Sequence, residues 1–333
     1  MFLFGISRPD SGFDPVILLV FALILEGVFG RFYSLIRGPG APLMLIAGFV
    51  SWCDRKLNRE GRSSGDRAAR GAIVALIIIL ISGVVGWGLA WLTQNIELFW
   101  MIETLMIALF LDQRGTYTIV QKCGHSLRGE DLPQARKHIA TISHQPVKSM
   151  DLHHLARTGL EASAAAIARG VAGPVFWYVV FGLPGLMVFR AVDMMAEVVG
   201  HQTDRHRAFG FTAARLADIL LYVPARMAGL YTVLGSVLVP TAKPSLAAKI
   251  MLRDAGKHHS RNLGWPLGAT AGALNLALAG PRKFNTNTTR DAWIGNGTAK
   301  ATAVDISRGL YLAAIACLIN AAWVAALSLV RLV

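Results

Sequence analysis

Charged side chains interrupt an apolar run at residues 214–227, "ARLADILLYVPARM". Asp218 and Arg226 are eight residues apart, so on a helix they would lie near one face. Arg215 precedes Asp218 by three residues and can pair with it directly. Because ionisable groups inside an apolar segment are costly, this pattern predicts either a structural ion pair, with Arg226 extending to the interface, or a polar cleft for an anionic ligand. Pro224 predicts a break in the helix.

Other residue patterns exclude several familiar kinds of site. The three cysteines share no metal-ligand spacing, and their number is odd, so neither a zinc site nor a disulfide framework is indicated. The sequence contains no phosphate-binding GxxxxGK[ST] motif. No motif therefore indicates a soluble nucleotide or metal enzyme.

The composition is that of a membrane protein. Hydrophobic residues make up 54% of the chain and charged residues 16%, with a mean hydropathy of +0.48, whereas soluble domains carry about 25% charged residues. The net charge of +13 would suggest nucleic acid binding in a soluble protein. Here it indicates basic loops on the cytoplasmic side, against anionic lipid, with an anionic substrate as the second interpretation.

These side chains must be positioned by apolar helices, because a bilayer core needs roughly 20 apolar residues per helix. The sequence predicts an all-α, polytopic helical membrane bundle forming a single domain over residues 1–333. The predicted apolar spans are 15–36, 71–92, 98–111, 170–192, 216–240 and 309–332. Two shorter apolar runs, 41–52 and 265–280, could be re-entrant, interfacial or packed inside the bundle.

The distribution of basic residues predicts the topology. The stretch 53–70 is rich in arginine and should be cytoplasmic, whereas 93–97 contains no lysine or arginine and should lie outside. The polar, basic segment 112–169 then returns inside as a cytoplasmic helical insertion, with one helix beginning at Asp131. Basic loops on both sides of 216–240 indicate that this segment or 170–192 is broken or re-entrant and does not cross fully.

Five blocks in this order resemble the CobD/CbiB family, the adenosylcobinamide-phosphate synthases of cobalamin biosynthesis. The best match is "AFGFTAARLADILLYVPARM", which resembles the family pattern F-G-x-x-A-A-R-L-D-D-x-x-N-x-I-P-A-R. The other matching blocks are "GEDLPQAR" at 129–136, "LEASAAAIARGVAGPVFW" at 160–177, "FRAVDMMAEVVGH" at 189–201 and "SRNLGWPLGATAGAL" at 260–274.

The chain departs from the family pattern mainly at carboxylates and amides. Ala165 and Ala166 stand where the family has Glu-Asn, Arg169 replaces an Asp, and Ala217 replaces one of two paired aspartates. Two further differences fall at 41–43 and 144–146. Because ATP chemistry normally uses carboxylates to hold Mg²⁺ against phosphates, this pattern also fits a paralogue with altered or lost catalysis.

The resemblance implies a multi-pass protein of the bacterial inner membrane, in contact with lipid and not with nucleic acid. It implies ATP-dependent amide formation between the corrinoid adenosylcobyric acid and aminopropanol or its phosphate, with Mg and ATP as cofactors. The implied site consists of catalytic Glu161, Asp193, Glu197 and Asp218, substrate-binding Arg215, Arg226, Asn262 and Trp265, and metal-binding Asp218 and Asp193.

A second function remains open at this point. The chain could be a catalytically inactive member of the same fold, with a ligand-binding or regulatory role in the membrane like that of AmpE. Loss of the family's acidic positions favours this alternative. Whether the chain is an enzyme therefore depends on the remaining carboxylates, among them Asp193 and Glu197, four residues apart.

Overall fold

The protein is helical, as the sequence predicts. A computed structural model describes residues 14–30, 42–143, 145–201, 203–284, 287–289 and 291–332. The α-helices are α1 Pro15–Phe29, α2 Pro42–Leu57, α3 Ser64–Asn95, α4 Phe99–Phe110, α5 Gly115–Arg128, α6 Leu132–Ile139, α7 Leu152–Ala166, α8 Gly173–Val199, α9 His206–Phe209, α10 Phe211–Ser236, α11 Pro244–Asp254, α12 Gly264–Leu274 and α13 Ala303–Leu332. A π-helical turn, Ile167–Ala172, joins α7 to α8, and short 3₁₀ turns cover Val147–Ser149 and Ala255–Lys257.

Four helical stretches within the described residues are long and apolar enough to cross a membrane. They are Ser64–Asn95, Leu152–Val199, Phe211–Ser236 and Ala303–Val330. The other two predicted spans are shorter helices. Helix α1 covers 15 residues and is followed by Gly30, which adopts the left-handed conformation of a C-cap, and α4 covers 12 residues. Two parts of the sequence prediction lie outside the described residues. One is the segment 31–41, which includes the end of the predicted first span and the first residue of the run 41–52, and the other is residue 144.

The chain folds into two compact units. The first contains the described residues within Met1–Leu111, Gly173–Tyr222 and Val324–Val333. In this unit α8 packs against α2 and α3, and α1 packs against α4. Tyr178 of α8 is fully buried and donates a hydrogen bond of 2.7 Å to Glu103 of α4, which satisfies both polar groups inside the apolar interior.

Helix α10 continues through Pro224, so the predicted break at this residue is wrong. A proline has no amide hydrogen to donate to the carbonyl four residues earlier, here that of Leu220. That carbonyl instead accepts a 2.9 Å hydrogen bond from the indole nitrogen of Trp177 on α8. A side chain from another helix thus supplies the donor that the proline removes, and the backbone can stay helical.

Pro174 and Pro184, which lie in the predicted span 170–192, are accommodated differently. Pro174 leaves the carbonyl of Gly170 without its usual helical donor, and this carbonyl accepts the amide hydrogen of Asp112 at 2.9 Å. Pro184 lies inside α8 two residues after Gly182, whose φ of 67° marks a kink in the helix. A kink in this predicted span is therefore present, whereas α10 is continuous.

The second unit contains Asp112–Ala172 and Val223–Trp323. Helices α5, α6 and α7 pack together, and α12 packs along α11. The predicted helix at Asp131 is confirmed: its side chain accepts the Gln134 amide hydrogen at 2.9 Å and caps α6. Two short antiparallel strand pairs, absent from the sequence prediction, follow α12. Their strands are β1 Leu278–Ala279, β2 Arg282–Phe284, β3 Asn287–Thr289 and β4 Trp293–Ile294.

Candidate functional site

Three of the predicted substrate-binding residues lie in contact in the second unit. The guanidinium carbon of Arg226 is 4.8 Å from the centroid of the Trp265 ring, in a cation–π arrangement. Arg226 Nη1 also lies 3.4 Å from Asn262 Oδ1, and Asn262 is buried. The contacts with the indole and with the amide oxygen together hold the guanidinium in position.

A close helix approach makes this contact possible. Arg226 lies on α10, Trp265 is the second residue of α12, and Asn262 lies in the turn just before it. Gly229 is one turn after Arg226, and a Cβ atom there would lie 2.9 Å from Met251 Sδ and 3.3 Å from the Trp265 backbone. Because glycine has no Cβ, α10 can approach the start of α12 closely enough for Arg226 to reach the indole.

Glu161 lies in the same unit and holds a strained turn. Its Oε1 accepts the amide hydrogen of Ala279 at 2.8 Å, and Ala279 adopts a φ of 59°, which is unfavourable for a residue with a Cβ. Non-glycine residues in such conformations persist when surrounding contacts fix them, and they are enriched at functional sites. Glu161 therefore both positions β1 and places a carboxylate beside it.

The first unit contains the predicted carboxylates on α8. Asp193 is buried and forms an ion pair of 3.5 Å with Arg190, one turn earlier on the same helix. Glu197 follows one turn later and is half-buried. This arrangement offers two carboxylates one turn apart, one of them paired with a cation.

Arg215 and Asp218 lie on the part of α10 that belongs to the first unit, and both are exposed. The guanidinium of Arg215 lies 5.4 Å from the centroid of the Phe211 ring, one turn earlier. The direct pairing of Arg215 with Asp218 stays a prediction.

The carboxylates fit a magnesium ion only in part. Among the described residues, no group of three or more His, Cys, Asp or Glu side chains could hold a metal ion. Magnesium bound with ATP usually takes only one or two protein carboxylates, together with water and phosphate oxygens. The exposed Asp218 fits that limited role, whereas Asp193 fits it less well because Arg190 already balances its charge.

Two features of the second unit were missed in the sequence analysis. The carboxylate of Asp254 is fully buried and bonded to Arg253, Lys257 and the Gly295 amide. Arg157 of α7 donates to the Ala299 carbonyl and lies 5.4 Å from the Trp293 ring centroid. The Arg253–Asp254–Lys257 spacing gave a local signal, whereas Ala299 and Trp293 are more than 130 residues from Arg157 in sequence.

Comparison with known proteins supplies the family. The family model described as CobD/Cbib protein matches residues 19–313. A cobalamin biosynthesis protein CobD of Sinorhizobium sp is 31% identical over 320 residues, which cover 95% of this chain and 98% of that protein. The corresponding protein of Rhodobacter capsulatus is 33% identical over 300 residues, 89% of this chain and 91% of that protein. No solved structure shows significant similarity to the chain.

Proposed function

Because the chain belongs to the CobD/Cbib family of cobalamin biosynthesis proteins, we propose that it is an adenosylcobinamide-phosphate synthase. In this reaction ATP supplies the free energy for joining the amine of aminopropanol, or of its phosphate, to a carboxyl group of adenosylcobyric acid. The observation that carries the proposal is the contact of Arg226 with Trp265 and Asn262. The family resemblance also implies a substrate-binding role for all three residues.

The chemistry of these side chains suits the substrates. A guanidinium binds planar carboxylate and phosphate groups in a bidentate manner, and stacking on an aromatic ring holds it in one plane. Arg226 would bind such a group, and Trp265 would also present an aromatic surface to a flat corrinoid. Asn262 would restrict the orientation of Arg226 through its amide oxygen.

The carboxylates would handle the amine and the cation. An ammonium group must lose a proton before its nitrogen can attack a carbonyl carbon, so a carboxylate near the amine would orient the ammonium and accept that proton. Glu161, Asp193, Glu197 and Asp218 remain the candidates, with Asp218 the one better suited to hold a magnesium ion carried by ATP. Arg215 would add positive charge for the phosphates.

The proposed setting is the bacterial inner membrane, crossed several times. The four long apolar helices support lipid contact, and the pathway named for the relatives points to a corrinoid substrate. The alternative is an inactive, ligand-binding or regulatory member of the fold. It is favoured by the replacement of family carboxylates at Ala165, Arg169 and Ala217, and by the Arg190–Asp193 ion pair.

Complementation tests the reaction directly. The protein is expressed in a bacterium that lacks its own synthase, supplied with cobyric acid, and cobalamin-dependent growth is measured. We expect growth with the unaltered chain, no growth with Asp218→Ala, and strongly reduced growth with Arg226→Lys, since an ammonium cannot reproduce the planar fork or the stacking on Trp265.

Two substitutions at exposed residues away from the site serve as controls. Glu60→Ala removes a surface carboxylate, and Arg59→Lys replaces a surface arginine with lysine. Both should grow like the unaltered chain. Every variant is quantified in the membrane fraction by immunoblotting. Absence of growth with the unaltered chain present in the membrane would refute the synthase proposal and support the inactive alternative.

A further inference from the structure

A polar cavity in the second unit lies among residues that the proposed function does not use. Its volume is about 750 Å³, and it opens between α5, α6 and the start of α13. Small-molecule sites usually occupy about 300–1,000 Å³. The charged and polar residues that line it include Lys122, His125, Arg128, His138, Asp131 and Ser307.

Basic side chains outnumber acidic ones among the residues that line this cavity. Lys122, His125 and Arg128 follow each other at intervals of three residues on α5 and so share one face of that helix. His138 of α6 also lines the cavity. The one lining carboxylate is that of Asp131, and its Oδ1 accepts the Gln134 amide hydrogen at the start of α6. The lining therefore carries an excess of positive charge.

The structure holds one of these cations in place. Arg128 Nη2 donates to the hydroxyl oxygen of Ser307 on α13, which ties the end of α5 to the opposite wall. Burial, and then the nearby charges of Lys122 and Lys137, lower the pKa of the His138 imidazole, while the charge of Asp131 acts in the opposite direction. Lys122 and His138 both line the cavity, and the charge of Lys122 affects the imidazole of His138.

Polar neutral groups complete the lining. Tyr117, Gln121, Ser126 and Gln134 add hydroxyl and amide groups that can donate hydrogen bonds to ligand oxygens. Clustered lysine and arginine with hydroxyl and amide donors is the environment that phosphate oxygens require. The volume admits a ligand considerably larger than a single phosphate ion.

We propose that this cavity binds a phosphate-bearing small molecule of nucleotide size, with Lys122 and Arg128 contacting the phosphate groups. His125 and His138 lie on the same lining and offer imidazole nitrogens for hydrogen bonds. None of the eight predicted site residues lines this cavity. Lys122→Glu changes this cavity and leaves all eight of those residues unaltered, so its effect on ligand binding separates this proposal from the proposed reaction.

Binding of ATP to the purified full-length protein in detergent, measured by isothermal titration calorimetry, tests this assignment. Adenosine, which has no phosphate, and inorganic phosphate serve as comparison ligands. We expect ATP to bind, inorganic phosphate to compete and adenosine not to bind. Lys122→Glu should weaken ATP binding by about tenfold or more, because a charge-assisted contact is lost and a repulsive charge is introduced.

Lys148→Glu is the matched control, since Lys148 is an exposed cation of the second unit, in the 3₁₀ turn Val147–Ser149, that does not line the cavity. It should bind ATP as the unaltered protein does. Arg128→Glu should weaken binding as well, but it also removes the contact with Ser307. Lys122→Glu therefore remains the decisive variant, and elution volume and thermal unfolding confirm that each variant is folded.

A second experiment tests whether the phosphate group in the cavity belongs to a lipid headgroup. Acetylation of Lys122 is followed by mass spectrometry in nanodiscs of phosphatidylcholine, with or without phosphatidylglycerol. Protection of Lys122 that requires phosphatidylglycerol, without ATP binding, would support a lipid phosphate in the cavity. ATP binding that Lys122→Glu leaves unchanged, or neither ATP binding nor protection of Lys122, would overturn the assignment.

Discussion

At the scale of single residues, Asp254 shows how a buried charge is stabilised in this protein. Arg253 donates two hydrogen bonds to its carboxylate, at 2.7 and 2.6 Å. Lys257 Nζ lies 2.7 Å from Oδ1, and the amide of Gly295 donates to Oδ2 at 3.0 Å. These contacts join the end of α11 to the residue after β4, so the carboxylate fixes the strand segment to the helix.

The stability of the second unit should depend on the charge of Asp254. The hydrogen bonds from Arg253, and then those from Lys257 and Gly295, hold the pKa of Asp254 well below its ordinary value, although its burial acts in the opposite direction. A carboxylate with a lowered folded-state pKa stabilises the fold above its unfolded-state value, about 3.9, and this stabilisation is lost as the pH falls through the folded-state pKa.

We therefore expect Asp254→Asn to lower the free energy of unfolding by about 2 kcal/mol at neutral pH, since a charged buried acceptor is removed. The measurement is thermal unfolding of the purified protein in detergent from neutral pH down to below about pH 4. The difference from the unaltered protein should shrink at the acidic end. A difference that stays constant over this range would contradict an electrostatic role for Asp254.

The sequence predicted part of the site at this scale. Arg226, Asn262 and Trp265 came from family motifs, and the structure brings these three together. The role of Glu161 at Ala279 could not be predicted. Ala279 lies 118 residues further along the chain, and nothing in its local sequence indicates a positive φ. Motifs name the side chains that carry chemistry, whereas the long-range hydrogen bonds that hold them in place have no periodic signal.

At the scale of elements, the helices with long apolar runs follow from hydropathy and the short ones follow from local caps. Helix α3 and α13 enclose the predicted runs 71–92 and 309–332. The two-residue strands β1 and β4 were missed because such short elements contain no alternating pattern. The predicted break at Pro224 was wrong because proline lacks an amide hydrogen, and the local sequence does not indicate that Trp177 of α8 supplies a donor instead.

The hydrogen bond from Trp177 to Leu220 should matter only while residue 224 is a proline. Trp177→Phe should lower the free energy of unfolding by about 1 kcal/mol, because the Leu220 carbonyl loses its donor. In a Pro224→Ala background, the new amide of residue 224 can donate to that carbonyl. There we expect the cost of Trp177→Phe to fall close to zero.

A double-mutant cycle by thermal unfolding measures this coupling. Trp91→Phe serves as the control, since Trp91 is an exposed tryptophan of α3, and it should cost the same in both backgrounds. Equal costs of Trp177→Phe with and without Pro224 would show that packing of the indole, and not its hydrogen bond, maintains α10.

At the scale of the whole molecule, α3 shows the polarity that membrane insertion requires. Its middle turns expose apolar side chains to the surroundings, among them Leu80, Ile81 and Val84. Trp87 and Trp91, also exposed, lie towards its C-terminal end, where tryptophans are typical of the membrane–water interface. Its first two turns carry Arg67 and Arg70 instead.

The arginine-bearing end of α3 also forms hydrogen bonds with neighbouring segments of the first unit. Arg67 donates at 2.5 Å to Asn58, whose amide in turn donates to Asp54 and to the carbonyl of Arg205. Arg205 also forms an ion pair of 2.7 Å with Asp54. Of the arginine-rich stretch 53–70, part belongs to α2 and α3, so the connecting loop is only 58–63. Charged residues of the stretch 53–70 take part in these contacts. By the positive-inside rule, its arginines also predict a cytoplasmic location.

This polarity predicts opposite accessibility for the two ends of α3. In a cysteine-free background, Gly61→Cys and Glu97→Cys each place one thiol at an exposed position, and a Cβ at residue 61 meets no atom within 4 Å. We expect a membrane-impermeant maleimide to label Glu97→Cys in intact spheroplasts, and Gly61→Cys only after permeabilisation. Labelling of both positions after permeabilisation controls for reactivity. If both were labelled equally in intact spheroplasts, α3 would not cross the membrane, and its apolar face would have to be covered by protein instead of lipid.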